Sequence, residues 1–349
     1  MQFFLILYNC QYIVLQNTYG LDHLDFWEIF FLLRNYLNSS EDSSKWCVLY
    51  NNNLKALIEV QFVSVLEYIS LTKPRIIVLL MITGIVGFFV PEPNMHGVRF
   101  LDLLVFIFIG YAAAGGAMTV NSYIDRDIDA LMERTKNRPT LGDDAITGAK
   151  VLLFGGGFAA LGIIIGWLYF NALTGLFLAW GVIFYLTGYS LLLKRKSILN
   201  TIIGGLASPT PVWVGYAARI NHIPLEGWLL GSIVLIWTPS HTWALSTKHL
   251  DDYIAAGIPM LPAKIGMEKT GLLTMIMGIV TMLYGTYLTY YFYDHPIIFV
   301  AMIIPDLIFL YGLWMFYSKP SKQTANQCFK LHNVWLGITF TMIVLFLWV

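Results

Sequence analysis

Charged side chains are scarce in this chain. They make up 12% of its 349 residues, whereas soluble proteins average about 25%, and 57% of the residues are hydrophobic. Acidic and basic residues number 21 each, so the chain has no net charge with which to attract nucleic acid. This composition excludes an ordinary soluble domain and predicts an all-α integral membrane protein.

Cysteine is nearly absent as well. The three cysteines, Cys10, Cys47 and Cys328, lie far apart along the chain. The sequence has neither pairs at zinc-ligand spacing nor a closely spaced even set that would form disulfides. Neither a structural zinc site nor a disulfide framework is therefore predicted.

The first 65 residues lack the long hydrophobic runs found in the rest of the chain. Met1 to Leu15 is apolar but short, is interrupted by Asn9 and Gln11, and has no basic start. These features match neither a signal peptide nor a membrane span. We predict an amino-terminal extension of unknown role at residues 1–65 and a transmembrane domain at residues 66–349.

Long hydrophobic runs recur regularly from Leu66 onward. A helix needs about 20 apolar residues to cross the core of a bilayer. The runs predict nine membrane-spanning helices, at about residues 75–91, 101–123, 148–168, 172–192, 198–217, 226–247, 270–291, 295–317 and 331–348.

Basic residues are unevenly divided among the loops between these runs. Loops that follow the even-numbered spans contain most of the lysine and arginine, and we interpret Lys194, Arg195 and Lys196 as orientation signals. The alternate loops contain little beyond Arg99 and Arg219. The bias predicts that the even-numbered spans end on the cytoplasmic side of the plasma membrane in a prokaryote, or on the matrix side in an organelle.

A polar segment from Asn121 to Pro139 follows the second hydrophobic run directly. Asn121, Asp125 and Asp129 are spaced four residues apart and therefore share one face of a helix. Asp127 lies on another side. Carboxylate and carboxamide oxygens on one face, without a nearby cysteine or HxxxH pattern, favour a hard cation such as Mg²⁺.

Basic residues come directly after these acids. Arg134, Lys136 and Arg138 would bind the phosphate oxygens that a metal ion leaves free. The segment is therefore a candidate clamp for Mg²⁺ and a diphosphate. The alternative is a solvated loop whose charges only set the orientation of the chain.

A second acidic cluster follows the sixth hydrophobic run, within Trp237 to Pro262. Lys248 and Asp252 are four residues apart, and Asp251 adjoins Asp252. By the count of spans, this cluster lies on the same side of the membrane as the first. Two acidic helix ends on one side can bind a single polyanion from opposite walls, each with a divalent cation, which favours the clamp over the solvated loop.

Four motifs lie in or near these two segments. They are TKPR at Thr72–Arg75, NxxxDxxxDxxMxRTxxRP at Asn121–Pro139, WTPxHxWAL at Trp237–Leu245 and DDYxxAGIPMLP at Asp251–Pro262. Together they resemble the membrane-embedded prenyltransferases of the UbiA superfamily, and the last two resemble its heme branch in particular. The resemblance covers about residues 66–349.

The resemblance implies a fold and an activity. The fold is a bundle of nine transmembrane helices around a central cavity open to lipid. The activity is Mg²⁺-dependent transfer of farnesyl from farnesyl diphosphate to a vinyl group of heme b, which gives heme O for heme A and cytochrome oxidase. The expected partners are these two substrates, the lipid bilayer and a downstream heme-modifying enzyme.

The resemblance also implies roles for individual residues. The implied Mg²⁺ ligands are Asn121, Asp125, Asp129, Asp251 and Asp252. The implied diphosphate-binding residues are Asn121, Arg134, Arg138 and Lys248. The implied catalytic residues are Asp125, Asp129, Asp252 and His241.

His241 lies inside the sixth run, two residues after Pro239. A histidine at this depth can ligate heme iron, donate a hydrogen bond to a heme propionate, or act as a base near the vinyl carbon. It can equally be a buried structural histidine whose ring is satisfied by a backbone carbonyl. These readings stay open at the level of the sequence.

Two other functions fit parts of the pattern. A prenyltransferase of the same fold acting on a quinone precursor, a chlorophyllide or a glycerol lipid would share the acidic motifs, but would not need the segment around His241. An ion-coupled transporter would need ionisable residues near the middle of its spans, whereas here the acids lie at helix ends and the mid-span positions are nearly free of charge. Heme farnesylation is therefore the expected function.

Overall fold

The computed structural model describes residues 65–92, 98–141, 146–293 and 295–346. Within these ranges every regular element is a helix and no strand occurs, in agreement with the composition. Residues 1–64, which make up nearly all of the expected extension, lie outside the described part of the chain. The boundary at residue 65 therefore stays a prediction.

Thirteen helices are numbered here in chain order across the described ranges. They are α1 (Val65–Leu71), α2 (Pro74–Phe89), α3 (Phe100–Ile124), α4 (Arg126–Asp129), α5 (Gly148–Ile165, continued as a π-helix over Gly166–Phe170), α6 (Ala172–Ile183, continued as a π-helix over Phe184–Leu193), α7 (Asn200–Gly204, with a 3₁₀ turn at Gly205–Ala207), α8 (Thr210–Ile220), α9 (Leu225–Lys248), α10 (Leu250–Ala255), α11 (Leu261–Tyr293), α12 (Ile297–Ser318) and α13 (Lys322–Phe346).

Six helices in the described part of the chain are long and apolar enough to cross a membrane: α3, α5, α6, α11, α12 and α13, with the π-helical ends of α5 and α6 included. A seventh span results if α1 and α2, which are bent by 53° relative to each other, are counted as one. The protein is therefore a multi-pass membrane protein. The number nine stays a prediction.

The two predicted spans at 198–217 and 226–247 are not among these six helices. The first is divided into α7, a 3₁₀ turn and α8, because Pro209 and Pro211 cannot continue a helical hydrogen-bond ladder. The second corresponds to α9, which has 24 residues but contains Pro239 together with several polar side chains. Both regions are helical at the predicted positions. Their uninterrupted apolar stretches are shorter than the prediction assumed.

Glycine allows close packing between neighbouring helices. A Cβ atom on Gly116 of α3 would lie 2.4 Å from the backbone oxygen of Gly155 in α5. A Cβ on Gly87 of α2 would lie 2.3 Å from the backbone oxygen of Val212 in α8. Both distances are shorter than any real Cβ contact, so these helices approach each other at positions where no side chain fits.

A small hydrophobic cluster joins the loops at one end of the bundle. Ile128 and Met132 come from the first polar segment, and Tyr253, Ile258 and Met260 come from the second. All five side chains are buried. The two acidic segments are therefore packed against each other by apolar contacts, which fixes the distance between them.

Candidate active site

The first acidic wall consists of Asn121, Asp125 and Asp129. Helix α3 ends at Ile124, but the Asp125 N–H donates to Asn121 O at 2.9 Å and the Asp129 N–H donates to Asp125 O at 2.8 Å, so the helical path continues into α4. The three residues lie on one face and are 4%, 1% and 2% exposed. The Asn121 Nδ2 group donates to Asp125 Oδ2 at 2.8 Å.

Each residue of the first wall contacts a basic side chain. Lys194 donates from Nζ to Asp125 Oδ2 at 2.5 Å, and Arg138 forms an ion pair with Asp129. Lys73 donates from Nζ to Asn121 Oδ1 at 3.2 Å. Buried carboxylates require such partners, because an unpaired buried charge is costly. In the first wall, each acidic or carboxamide side chain is therefore paired with a lysine or arginine. Lys194 has a partner inside the site, which the interpretation as an orientation signal did not anticipate.

Asp127 lies on the outer side of the same segment, as the spacing predicts, with 60% of its side chain exposed. It is nevertheless held by Arg195, whose NH1 donates to Asp127 Oδ2 at 2.6 Å and whose NH2 donates to Oδ1 at 2.7 Å. The guanidinium holds the pKa of Asp127 below its usual range, and the carboxylate raises the pKa of Arg195.

Arg195 also reaches towards the first wall. Its NH2 group donates to Ile124 O at 2.8 Å and lies 3.8 Å from Asp125 Oδ1. The Asp125 Oδ1 atom is buried and has no hydrogen-bond partner. Asp127 therefore fixes a guanidinium beside the one oxygen of Asp125 that is free to accept a further bond.

The donor set of the first wall fits a hard divalent cation. Carboxylate and carboxamide oxygens are the ligands that Mg²⁺ prefers, and the partnerless Asp125 Oδ1 is available for such a bond. No group of three or more His, Cys, Asp or Glu side chains in the described ranges is arranged to hold a metal ion. Two carboxylates and one carboxamide therefore require water and substrate oxygens to complete a coordination shell.

The second wall is divided between Asp252 and Asp251. Asp252 Oδ1 accepts from the backbone N–H of Glu133 at 2.9 Å, and Asp252 Oδ2 lies 3.6 Å from Arg134 Nε. Asp251 is 79% exposed and forms an ion pair with Lys322 at the start of α13. The structure therefore joins Asp252 to the segment that follows the first wall, whereas Asp251 points outward.

Lys248 and His241 lie on the face of α9 next to α13. Lys248 Nζ is 5.7 Å from the centre of the Phe329 ring. His241 stacks on Trp237 with ring centroids 3.9 Å apart, and it lies 4.7 Å from Phe329. A second histidine, His332 of α13, lies 6.2 Å from the ring of His241. The sequence patterns did not identify His332, because a single histidine in an apolar helix has no motif.

One carboxylate lies in the middle of a span. Asp306 of α12 is half-buried and accepts from Trp335 Nε1 at 2.8 Å and from Thr286 Oγ1 at 2.7 Å. The donors come from α13 and α11, so the carboxylate connects three helices. Mid-span acids mark transport paths in many membrane proteins, but both oxygens of Asp306 have protein donors, which is typical of a structural contact.

The predicted central cavity stays a prediction. A cavity of about 490 Å³ is present, and it lies at the start of α9 and the end of α11, the opposite end of α9 from Lys248. Its lining residues are Glu226, Tyr287, Tyr290, Tyr291 and Phe292. This cavity is not next to the acidic walls.

Comparison of sequences identifies a family. The profile of the UbiA prenyltransferase family matches residues 80–337. A protoheme IX farnesyltransferase of Thermus thermophilus is 34% identical over 284 residues, which is 78% of this chain and 45% of that protein. The chain therefore spans about half the length of that curated relative. A protoheme IX farnesyltransferase of Saccharolobus islandicus is 32% identical over 278 residues, 80% of this chain and 95% of that protein.

Comparison of structures identifies the same fold. Digeranylgeranylglyceryl phosphate synthase superposes with a TM-score of 0.62 at 17% identity, covering 80% of this chain and 97% of that one. A UbiA homologue from Archaeoglobus fulgidus bound to GPP and Mg²⁺ superposes with a TM-score of 0.61 at 16% identity, covering 79% of this chain and 99% of that one. At these identities the similarity concerns the fold alone.

Proposed function

Because the chain belongs to the UbiA prenyltransferase family, we propose that it transfers the farnesyl group of farnesyl diphosphate to a vinyl group of protoheme IX, which gives heme O. The name shared by its relatives at 32–34% identity supports this acceptor. The observation that carries the proposal is the contact of the second wall with the segment that follows the first wall, in which Asp252 accepts from the backbone N–H of Glu133. This contact supports a single site built from both acidic motifs.

The first wall binds the leaving group in this proposal. Asn121, Asp125 and Asp129 would hold Mg²⁺, which when bound would supply positive charge to the diphosphate. Arg138 and Lys194 exchange their carboxylate partners for phosphate oxygens, Arg134 contributes from the segment that follows the first wall, and Lys248 contributes from the end of α9. Fixed cations are most effective where negative charge develops during the reaction, here on the leaving oxygen.

The reaction breaks the bond between farnesyl C1 and the diphosphate oxygen. The terminal vinyl carbon bonds to C1, water adds to the other vinyl carbon, and diphosphate and one proton are released. Tyr185 and Tyr189 of α6 stack with centroids 5.9 Å apart. Tyr185 is connected to the first wall, because its carbonyl accepts from Ser190 Oγ and that hydroxyl accepts from Asn121 Nδ2. In this proposal the faces of these rings stabilise the allylic cation.

The proposal includes a topology. The chain crosses the membrane nine times, and both walls lie on the cytoplasmic side, or on the matrix side in an organelle. Residues 1–65 form a separate extension, and a complex with a downstream heme-modifying enzyme stays a prediction. The alternation of basic and non-basic loops supports this orientation.

Cysteine labelling tests the topology. In a variant without the three native cysteines, Lys196→Cys and Lys264→Cys should react with an impermeant maleimide only from the cytoplasmic or matrix side. His222→Cys should react only from the opposite side. Labelling of positions 196 and 264 from different sides would separate the two walls and remove the basis of a shared site.

A direct assay tests the function. Membranes that contain the protein are given farnesyl diphosphate, Mg²⁺ and heme b, and the pigments are resolved by mass. We expect heme O, its loss with a chelator, and its absence with Asp125→Asn. Parallel reactions offer a phenolic acid and a glycerol phosphate lipid as acceptors. Prenylation of either of these, without heme O, would replace the proposed acceptor and leave the family unchanged.

A further inference from the structure

His332 has a defined tautomer. Its Nδ1 atom lies 2.8 Å from the carbonyl oxygen of Cys328, one turn earlier in α13. A carbonyl oxygen only accepts hydrogen bonds, so Nδ1 carries the proton and donates. A neutral imidazole has one ring proton, which leaves Nε2 with a free lone pair. That Nε2 atom is buried and has no hydrogen-bond partner.

His241 also has a ring nitrogen without a hydrogen-bond partner. This atom is Nδ1, and it is buried. The two rings are neighbours, with centroids 6.2 Å apart and planes inclined by 60°. His332 is fully enclosed, whereas His241 is only partly enclosed. One histidine thus offers a buried acceptor, and the adjacent histidine has a buried nitrogen that can donate to it when it carries the ring proton.

The surrounding rings hold both imidazoles in place. Trp237 stacks on His241 and donates from Nε1 to the backbone oxygen of His332 at 3.1 Å. Phe309 packs edge-on against His332 with centroids 4.6 Å apart. Buried polar atoms in folded proteins almost always have a hydrogen-bond partner, so two neighbouring ring nitrogens without one call for an explanation.

We propose that His332 is a positioning residue for His241: its Nε2 accepts a hydrogen bond from His241 Nδ1 through one buried water. This inference rests on the proposed function and adds to it. Buried waters in proteins typically bind two to four polar groups that would otherwise have no hydrogen-bond partner. The bond fixes the tautomer of His241 and leaves its Nε2 atom with a free lone pair.

A histidine in this state suits the heme acceptor. Imidazole nitrogen is a frequent ligand of heme iron. A histidine that ligates iron usually donates its other ring N–H to an acceptor, which orients the ring and makes the ligand more basic. His332 supplies that acceptor from a neighbouring helix. The substrate iron then binds His241 Nε2, and the orientation of the ring determines where the porphyrin sits.

Heme titration of the purified full-length protein tests this role. His332→Leu removes the acceptor, and His332→Gln restores one through its amide oxygen. We expect His332→Leu to weaken heme binding about tenfold or more, the usual cost of losing an outer partner of a metal ligand, and to shift the Soret band. The heme affinity and Soret band of His332→Gln should stay close to those of the wild-type protein. Thr339→Val, at another buried position of α13, is the matched control and should change neither quantity.

The results separate several outcomes. An unchanged Kd and Soret band in His332→Leu overturn the proposal, and so does a His332→Gln variant that binds as poorly as His332→Leu. Loss of farnesyl diphosphate binding together with heme binding indicates misfolding of a variant. In that case ¹⁵N spectra of the wild-type histidines decide, because a proton on His332 Nε2 overturns the proposal and a proton on Nδ1 of both rings supports it.

The same titration separates this proposal from the proposed function. A wild-type protein that binds heme with the expected dependence on His332 but produces no heme O contradicts the function only. A wild-type protein that produces heme O, with His332→Leu equal to it in heme affinity and spectrum, contradicts the positioning role only.

Discussion

The two acidic walls differ in how their carboxylates are held. Asp125 and Asp129 of the first wall are enclosed, and each is bound to a basic side chain that is largely buried as well. Asp252 of the second wall is held mainly by a backbone N–H, and Asp251 is open to solvent. The first wall is therefore an assembled ion cluster, whereas the second is a contact between loops.

The difference indicates how each wall responds to a substrate. A buried ion pair is maintained only while both charges are satisfied, so a ligand that enters the first wall must supply both a cation and an anion. In the proposed function a metal diphosphate would meet this requirement, because its metal would bind the carboxylates and its phosphates would bind Lys194 and Arg138. The backbone contact of Asp252 involves no basic side chain and does not depend on such an exchange.

The largest effect should come from removing a carboxylate of the first wall. Asp125→Asn and Asp129→Asn keep the size of the side chain but remove a charge that, in the proposed function, would hold the metal diphosphate. We expect each to lower kcat/KM for farnesyl diphosphate by about a thousandfold, the upper range for loss of one preorganised contact. Steady-state assays of heme O formation measure this. A loss below tenfold at both positions would remove the first wall from the reaction.

A smaller effect is expected at the second wall. Asp252→Asn retains an oxygen that accepts from the Glu133 backbone N–H, but it loses the charge that faces Arg134. We expect a loss of about a hundredfold in kcat/KM, the lower range for one such contact. Asp252→Ala removes both contacts and should lower kcat/KM further than Asp252→Asn does. If Asp252→Asn is as active as wild type, the second wall acts only through its backbone contact.

The smallest effects on activity should come from the two exposed acids, Asp127 and Asp251, whose variants can be compared directly. Asp127→Asn breaks the two-bond contact that holds Arg195 beside Asp125, so we expect a loss of about tenfold, mainly in KM. Asp251→Asn breaks an exposed pair with Lys322 and should change the rate less than about twofold. Equal rates for the two variants would show that the contact between Asp127 and Arg195 plays no part in binding.

Local spacing predicted the first wall, and tertiary packing supplied what it left out. The separation by four residues is enough to place Asn121, Asp125 and Asp129 on one face. Their partners Lys73 and Lys194 lie 48 residues before Asn121 and 69 residues after Asp125, and only the packing of helices brings them together. A basic loop looks the same in a sequence whether it sets orientation or enters a site.

Neighbouring residues show the limit of the sequence in the second wall. Asp251 and Asp252 are adjacent, and a motif assigns both to the metal site. On the short helix α10 they point in directions about 100° apart, so one meets the Glu133 backbone and the other meets Lys322. The family motif treats the two residues alike, but the direction of each side chain depends on where that helix begins.

The carboxylate in the middle of α12 affects how the protein is assembled. Asp306 receives one hydrogen bond from Thr286, which is synthesised before it, and one from Trp335, which is synthesised after it. Until α13 has entered the bilayer, one oxygen of this acid has no donor. During translation, α12 therefore carries a carboxylate that is only partly hydrogen-bonded. A chain that ends before α13 leaves this carboxylate exposed to the membrane insertion machinery, whereas in the complete protein Trp335 donates a hydrogen bond to it.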